Sequence, residues 1–129
     1  MTVYLSLKEV LRLHFQVIED FGGSCGVRDE NRLDSLVSAP KQEVFGVEQY
    51  PETLSKAAVY MRNLIGDHPF VDGNKRTAIT VVGIFLERNG YRLTATPQEL
   101  ENITLRIATD KLDVARIAAW LRNHTSKPS

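Results

Sequence analysis

The sequence predicts an all-α fold of about six helices, as one domain over residues 1–129. Three observations carry that expectation. Apolar residues recur at three- and four-residue intervals along most of the chain. Two capping boxes, Ser6 with Glu9 and Thr96 with Glu99, announce helix starts. Gly22-Gly23, Pro40 and Gly90 supply matching stops.

The first helix follows Ser6 and sets Leu7, Val10, Leu11, Ile18 and Phe21 on one face. His14 lies on that buried side and is expected to be packed. Asp29 caps a short second helix carrying Leu33, Leu36 and Val37, which Pro40 ends. Periodicity then disappears from Lys41 to Glu52, where Gly46 and Pro51 interrupt a stretch that reads as a loop or a small β-hairpin. Thr53 is expected to cap the third helix, whose buried stripe is Leu54, Ala57, Ala58, Met61, Leu64 and Ile65. Pro69 holds its predecessor to extended backbone angles, so this helix ends before His68. The fourth helix runs from about Asn74 to Asn89 with little polar face, and is expected to be the central, mostly buried element. The fifth opens at Thr96-Pro97, and the sixth starts near Asp113 and buries Val114, Ile117, Ala118 and Leu121. His124 falls in the tail and is expected to be solvated.

Composition excludes several classes of function. The chain is 43% apolar and 25% charged, long enough to close a core without disulfides or metals. Sixteen basic residues balance sixteen acidic ones, so the excess of cations that sequence-independent nucleic-acid binding needs is missing. The lone cysteine, Cys25, suits a reducing cytosol. The opening residues lack the basic-then-apolar pattern of a secretion signal, and the strongest apolar run, Ala78 to Leu86, is too short to cross a bilayer. A cytoplasmic protein with no membrane partner is expected.

Chemistry concentrates in His68-Pro69-Phe70-Val71-Asp72-Gly73-Asn74-Lys75-Arg76-Thr77. The opening amides of a helix have no intrahelical acceptor and carry the positive end of its dipole. Gly73 permits close backbone approach, Asn74 offers an amide, and Lys75 and Arg76 add full charges, so the start of the fourth helix resembles an anion nest for phosphate. Asp72 would repel a phosphate unless a cation such as magnesium lay between them. With Phe70 anchored in the core, His68 and Asp72 can both face the ligand, and a neutral His68 could take a proton from an incoming hydroxyl. Each residue also has a plainer role: Asp72 as a helix cap, Gly73 as a tight turn, His68 as a loop histidine. The spacing is not that of a Walker loop, since Asn74 separates Gly73 from Lys75, and no histidine pair brackets a glutamate as in a zinc protease.

The run resembles the signature of the Fic/Doc superfamily, histidine-x-phenylalanine-x-acidic-glycine-asparagine-glycine-arginine-x-x-arginine. It matches at His68, Phe70, Asp72, Gly73, Asn74 and Arg76. Lys75 replaces the second glycine and Ile79 the last arginine, as in the death-on-curing (Doc) branch, the toxin half of toxin–antitoxin pairs. Tyr4-Leu5-Ser6, Phe21-Gly22-Gly23, Gly26-Val27-Arg28-Asp29 and Arg88-Asn89-Gly90-Tyr91 are similar to that branch too. The resemblance implies that His68 activates an acceptor hydroxyl, Asp72 holds magnesium, and Gly73, Asn74, Lys75 and Arg76 receive phosphate oxygens. A typical Fic enzyme transfers adenosine monophosphate from ATP to a protein hydroxyl. In the Doc branch the lysine implies a reversed nucleotide, with transfer of the terminal phosphate to a threonine of elongation factor Tu and arrest of translation. Lys41–Glu52 corresponds to a target-docking flap. The family's self-inhibitory pattern fails at Glu101-Asn102, where Pro97 stands in the hydroxyl position, so a separate antitoxin supplying a helix is implied. Three readings follow: a Doc-type phosphotransferase toxin, a Fic-type adenylyltransferase, or a catalytically silent antitoxin-binding regulator.

Overall fold

Two apolar helices, joined by a seven-residue segment that carries His68 to Gly73, organise the chain. A computed structural model describes residues 1–127. In chain order its helices are α1 (Leu7–Phe21), α2 (Glu30–Ser38), α3 (Thr53–Gly66), α4 (Asn74–Arg88), α5 (Pro97–Asp110) and α6 (Val114–Asn123). A 3-10 turn, Ala39–Lys41, follows α2 and contains Pro40, so the proline tightens the helix end rather than beginning a loop. Among the described residues four two-residue strands complete the fold: β1 (Glu43–Val44), β2 (Val47–Glu48), β3 (Arg92–Leu93) and β4 (Thr125–Ser126). The predicted all-helical class and its small hairpin are both present.

The expected caps at Ser6, Asp29 and Thr96 form, each oxygen accepting from the amide three residues on. The expected cap at Thr53 does not. Glu52 takes that position with no side-chain bond, because its carbonyl already accepts the first helical amide, from Lys56 at 3.0 Å. The centre of the molecule also differs from expectation. α3 buries ten of its residues and α4 seven, and α3 packs on α2, α4, α5 and α6. The sequence hid this because Lys56, Tyr60 and Asn63 look polar, yet all three are buried. Tyr60 accepts from the Leu5 amide at 3.2 Å, and burial pushes its phenol up to about 12.

α1 turns Val10, His14 and Val17 inward, as their spacing requires. Phe21 is a correction: it is 62% exposed, and its ring supports the Arg76 guanidinium 3.9 Å above it. His124 is another. Its ring stacks on Trp120 at 4.0 Å and bonds the Trp120 carbonyl and Glu99, so it is half-buried. The pairing of β3 with β4, Arg92 opposite Ser126 and Leu93 opposite Thr125, is what carries the chain past it.

β1 and β2 are antiparallel, Glu43 facing Glu48 and Val44 facing Val47. Phe45 and Gly46 make the turn with φ of 53° and 77°, the left-handed pair that suits the twist of a two-residue hairpin. Every residue of these two strands is exposed, and Phe45 at the turn fully so. The hairpin is tied to the core at its base, where the buried Lys56 ammonium donates to Glu48 at 3.1 Å and to the Tyr50 carbonyl. Lys56→Met should free that base and leave the core intact, since a buried ammonium gives way to a similar apolar volume. Hydrogen exchange at the Gln49 amide, which bonds the Gln42 carbonyl, should rise about tenfold or more with little change in Tm.

No helix among the described residues is long and apolar enough to cross a membrane.

Candidate active site

α3 stops at Gly66 and α4 begins at Asn74, and the seven residues between are held from three sides. Segment 22–28 lies against them like a short strand. Val27 forms an antiparallel bridge with Phe70, the Val71 amide donates to the Gly26 carbonyl at 3.0 Å, and the Arg28 amide donates to the Pro69 carbonyl at 2.9 Å. From the other side the Asn74 carboxamide closes on Phe70 twice, accepting from its amide at 2.9 Å and donating to its carbonyl at 3.0 Å. Underneath, the His14 ring stacks on the Phe70 ring at 3.8 Å and 9°. Phe70 is therefore the expected anchor, wholly buried.

These contacts revise the expected role of Asn74. Its carboxamide staples the loop, so what it presents to a ligand is its backbone amide. The amides of Asn74, Lys75 and Arg76 precede the first intrahelical bond, from Thr77 to the Gly73 carbonyl at 2.9 Å, and so remain available. Gly73 caps α4 in the left-handed region, φ 76° and ψ 19°. A Cβ there would also meet Ile18 Cδ1 at 3.1 Å, so α1 packs directly beneath the cap. Gly73→Ala should consequently lower stability by about 1–2 kcal/mol, read as a shifted urea midpoint at unchanged m.

Asp72 does not cap α4: no side chain does. Its Oδ2 accepts from the Ser24 amide at 2.8 Å, which orients the carboxylate and leaves Oδ1 without a protein partner among the described residues. Gly23 allows this approach, since a Cβ there would stand 3.2 Å from Asp72 Cβ. His68 is exposed, with φ of +50° rather than the extended angle expected before a proline. The neighbours impose that conformation. Asp67 is gripped by Arg32 through two bonds of 2.9 Å, and Pro69 and Phe70 are buried, so His68 must bridge two fixed points. The Arg32 guanidinium, with a smaller contribution from His68, holds the Asp67 carboxyl below its ordinary range.

His68, Asp72, Gly73, Lys75 and Arg76 line one shallow hollow of about 350 Å³. Lys75 and Arg76 have no ion-pair partner among the described residues, and both are exposed. Among the described residues no three His, Cys, Asp or Glu side chains converge to cage a metal ion. One oriented carboxylate beside a phosphate nest fits magnesium delivered by a nucleotide, because that ion takes one or two carboxylates plus phosphate oxygens.

The loop and helix start that bring His68, Asp72 and the α4 amides together lie within a stretch that matches known proteins. Residues 4–86 match the model of the Fic/DOC family. This chain belongs to that family. Within it the relatives lie in the Doc branch. The chain is 39% identical over 123 residues to a protein named Toxin Doc from Mycolicibacterium smegmatis, covering 94% of this chain and 92% of that one. It is 31% identical over 119 residues to a protein named Protein kinase doc from Escherichia phage P1, covering 92% and 93%. Lys75 and Ile79, the two departures from the general Fic signature, are thus features of a Doc-branch chain.

Four supports of this Doc site were not legible in the motif: the Ser24 amide, the Val27 bridge, the Arg32–Asp67 pair and His14. The first three act through backbone or across 35 to 48 residues of chain, with no local pattern to mark them. His14 was expected to be packed, and is only 1% exposed. Burial pushes its imidazole below the ordinary histidine value, against a weaker upward pull from Asp72.

Proposed function

We propose that this protein is a Doc-type toxin that transfers the terminal phosphate of ATP to a hydroxyl of a translation protein, a threonine of elongation factor Tu being the expected acceptor. The observation that supports the reading best is the state of the α4 start. Gly73 caps it without a side chain, so the amides of residues 74–76 stay open to phosphate oxygens with Lys75 and Arg76 at their side. The printed name of the phage relative, a protein kinase, points the same way.

His68 supplies the base. Its ring, exposed beside the nest, takes the proton of the acceptor hydroxyl as that oxygen attacks phosphorus. The α4 amides and Arg76 hold the charge that develops on the phosphoryl oxygens, and Lys75 balances the phosphate chain. Asp72, turned by the Ser24 amide, would hold magnesium, which neutralises phosphate charge when bound. Lysine in place of a second glycine fills space and adds charge in the nest, which favours a phosphate chain laid out differently from that of an AMP-transferring Fic enzyme. The exposed hairpin β1–β2 offers an open edge that an acceptor segment could join as an added strand.

An antitoxin is part of the proposal. A second hollow of about 510 Å³ adjoins the first, sharing Lys75 and Arg76 and lined further by Phe21, Ile79, Leu100 and Glu101. An amphipathic helix laid there would cover the nest. Glu101 makes no ion pair with Lys75 or Arg76 among the described residues.

The deciding experiment incubates the protein with a bacterial translation extract and ATP labelled at the terminal or the alpha phosphate. Label passing to protein from the terminal position alone is expected. Label from the alpha position would replace this reading with adenylyl transfer. No transfer, and none lost in His68→Ala, would leave a silent antitoxin-binding regulator.

A further inference from the structure

One buried polar group close to the motif has no part in the transfer just described. His14 Nδ1 lies 3.2 Å from the Thr77 hydroxyl, while His14 Nε2 is sealed from solvent with no hydrogen-bond partner among the described residues. A buried nitrogen left unpaired is unfavourable, and a leucine or phenylalanine of similar bulk would avoid it. The ring's other contacts say what the imidazole does instead. One face covers Phe70 at 3.8 Å. Its Cε1 atom would lie 3.7 Å from a Cβ on Gly73, so its edge runs beneath the cap. Nδ1 reaches Thr77, a fully buried residue in the first turn of α4. A single side chain therefore touches the loop side, the cap and the helix side of the one junction on which the site is built.

We propose that His14 is a positioning residue for transfer: wedged under Phe70, Gly73 and Thr77, it sets the angle between the loop bearing His68 and Asp72 and the α4 amides that receive phosphate. This rests on the phosphotransfer reading above. The function needs both properties of an imidazole at once, a flat aromatic face toward Phe70 and a polar edge toward Thr77. Phenylalanine has only the face, asparagine only the polar edge, and leucine neither. Placement matters because reacting atoms must meet within a fraction of an ångström, and an error near 1 Å in a supporting element costs about a hundredfold.

The test compares His14→Phe, His14→Asn and His14→Leu with the unsubstituted protein, using terminally labelled ATP and the acceptor found in the extract. The first two should lower kcat about tenfold and the third about a hundredfold, with KM for magnesium–ATP within about twofold. A residue that only stabilises the fold would shift Tm and leave kcat per folded molecule unchanged, and that outcome overturns the proposal. Should a His14 variant fail to fold, Thr77→Val removes the partner atom with little change in volume. It should give the same tenfold loss alone and no further loss in His14→Phe. Independent losses in that pair would equally overturn it.

A second readout is independent of catalysis. Hydrogen exchange at the Phe70, Val71 and Thr77 amides, which bond Asn74, Gly26 and Gly73, should rise about tenfold in His14→Leu while the Ile117 amide of α6 does not change. Unsubstituted protein that transfers no label refutes the functional reading alone. The exchange pattern then decides the positioning claim, and unchanged exchange at the junction refutes it.

Discussion

His68→Ala should lower transfer of labelled phosphate to protein about a hundred- to ten-thousandfold, the range that a positioned base contributes. Stability should hardly change, because the imidazole is exposed and makes no hydrogen bond among the described residues. Alanine at φ +50° is strained as histidine is, so His68→Ala and the unsubstituted protein should melt within a few degrees of each other. Titration with magnesium–ATP followed by calorimetry should show binding retained, since the nest amides and Asp72 are untouched. Loss of nucleotide binding in His68→Ala would move the residue from base to ligand contact and undo the assignment. Full activity would exclude it from the chemistry altogether.

Phe70→Ala should be the most damaging single change to the fold near the site. The ring is wholly buried, covered by His14 on one face and by the core around it. Truncating such a ring costs about 3–5 kcal/mol, a large part of the 5–15 kcal/mol that ordinarily separates folded from unfolded chains. The lost mass also removes what His14 stacks upon, so the loop should loosen before the molecule melts. Urea unfolding should show the midpoint drop, and transfer measured well below that midpoint should already be reduced. Phe70→Leu, which keeps much of the apolar volume without the flat face, should recover more stability than activity. Equal recovery of both would show that the ring merely fills space.

Much of this was written in local patterns. Ser6 and Glu9, Asp29, and Thr96 with Glu99 name their helix starts because a cap and its amide are neighbours along the chain. Phe70 as anchor followed from its being the one phenylalanine in the run from His68 to Thr77, and the free start of α4 from Gly73. What escaped depends on distance along the chain. Thr53 looked like a cap until the Glu52 carbonyl took the first bond. Phe21 belonged to the apolar stripe by period, yet α1 ends beside the site, where the Arg76 charge is a better neighbour than the core. Lys56 reads as a surface residue in any window of sequence, because its partners on the hairpin are placed by folding alone. His68 breaks the pre-proline rule for a like reason. Arg32 and the buried Phe70 fix its two flanks, and a local preference of backbone angle yields to both.

The His68 imidazole and the Asp72 carboxylate both stand exposed to water, over an open and shallow hollow. Among the described residues nothing covers that hollow. On the proposed phosphotransfer, water would be a rival nucleophile, able to take the phosphoryl group in place of the acceptor hydroxyl that His68 deprotonates. Under that reading, fidelity to a protein acceptor would come from the acceptor itself, whose surface would complete the wall and dry the cleft at the moment of attack.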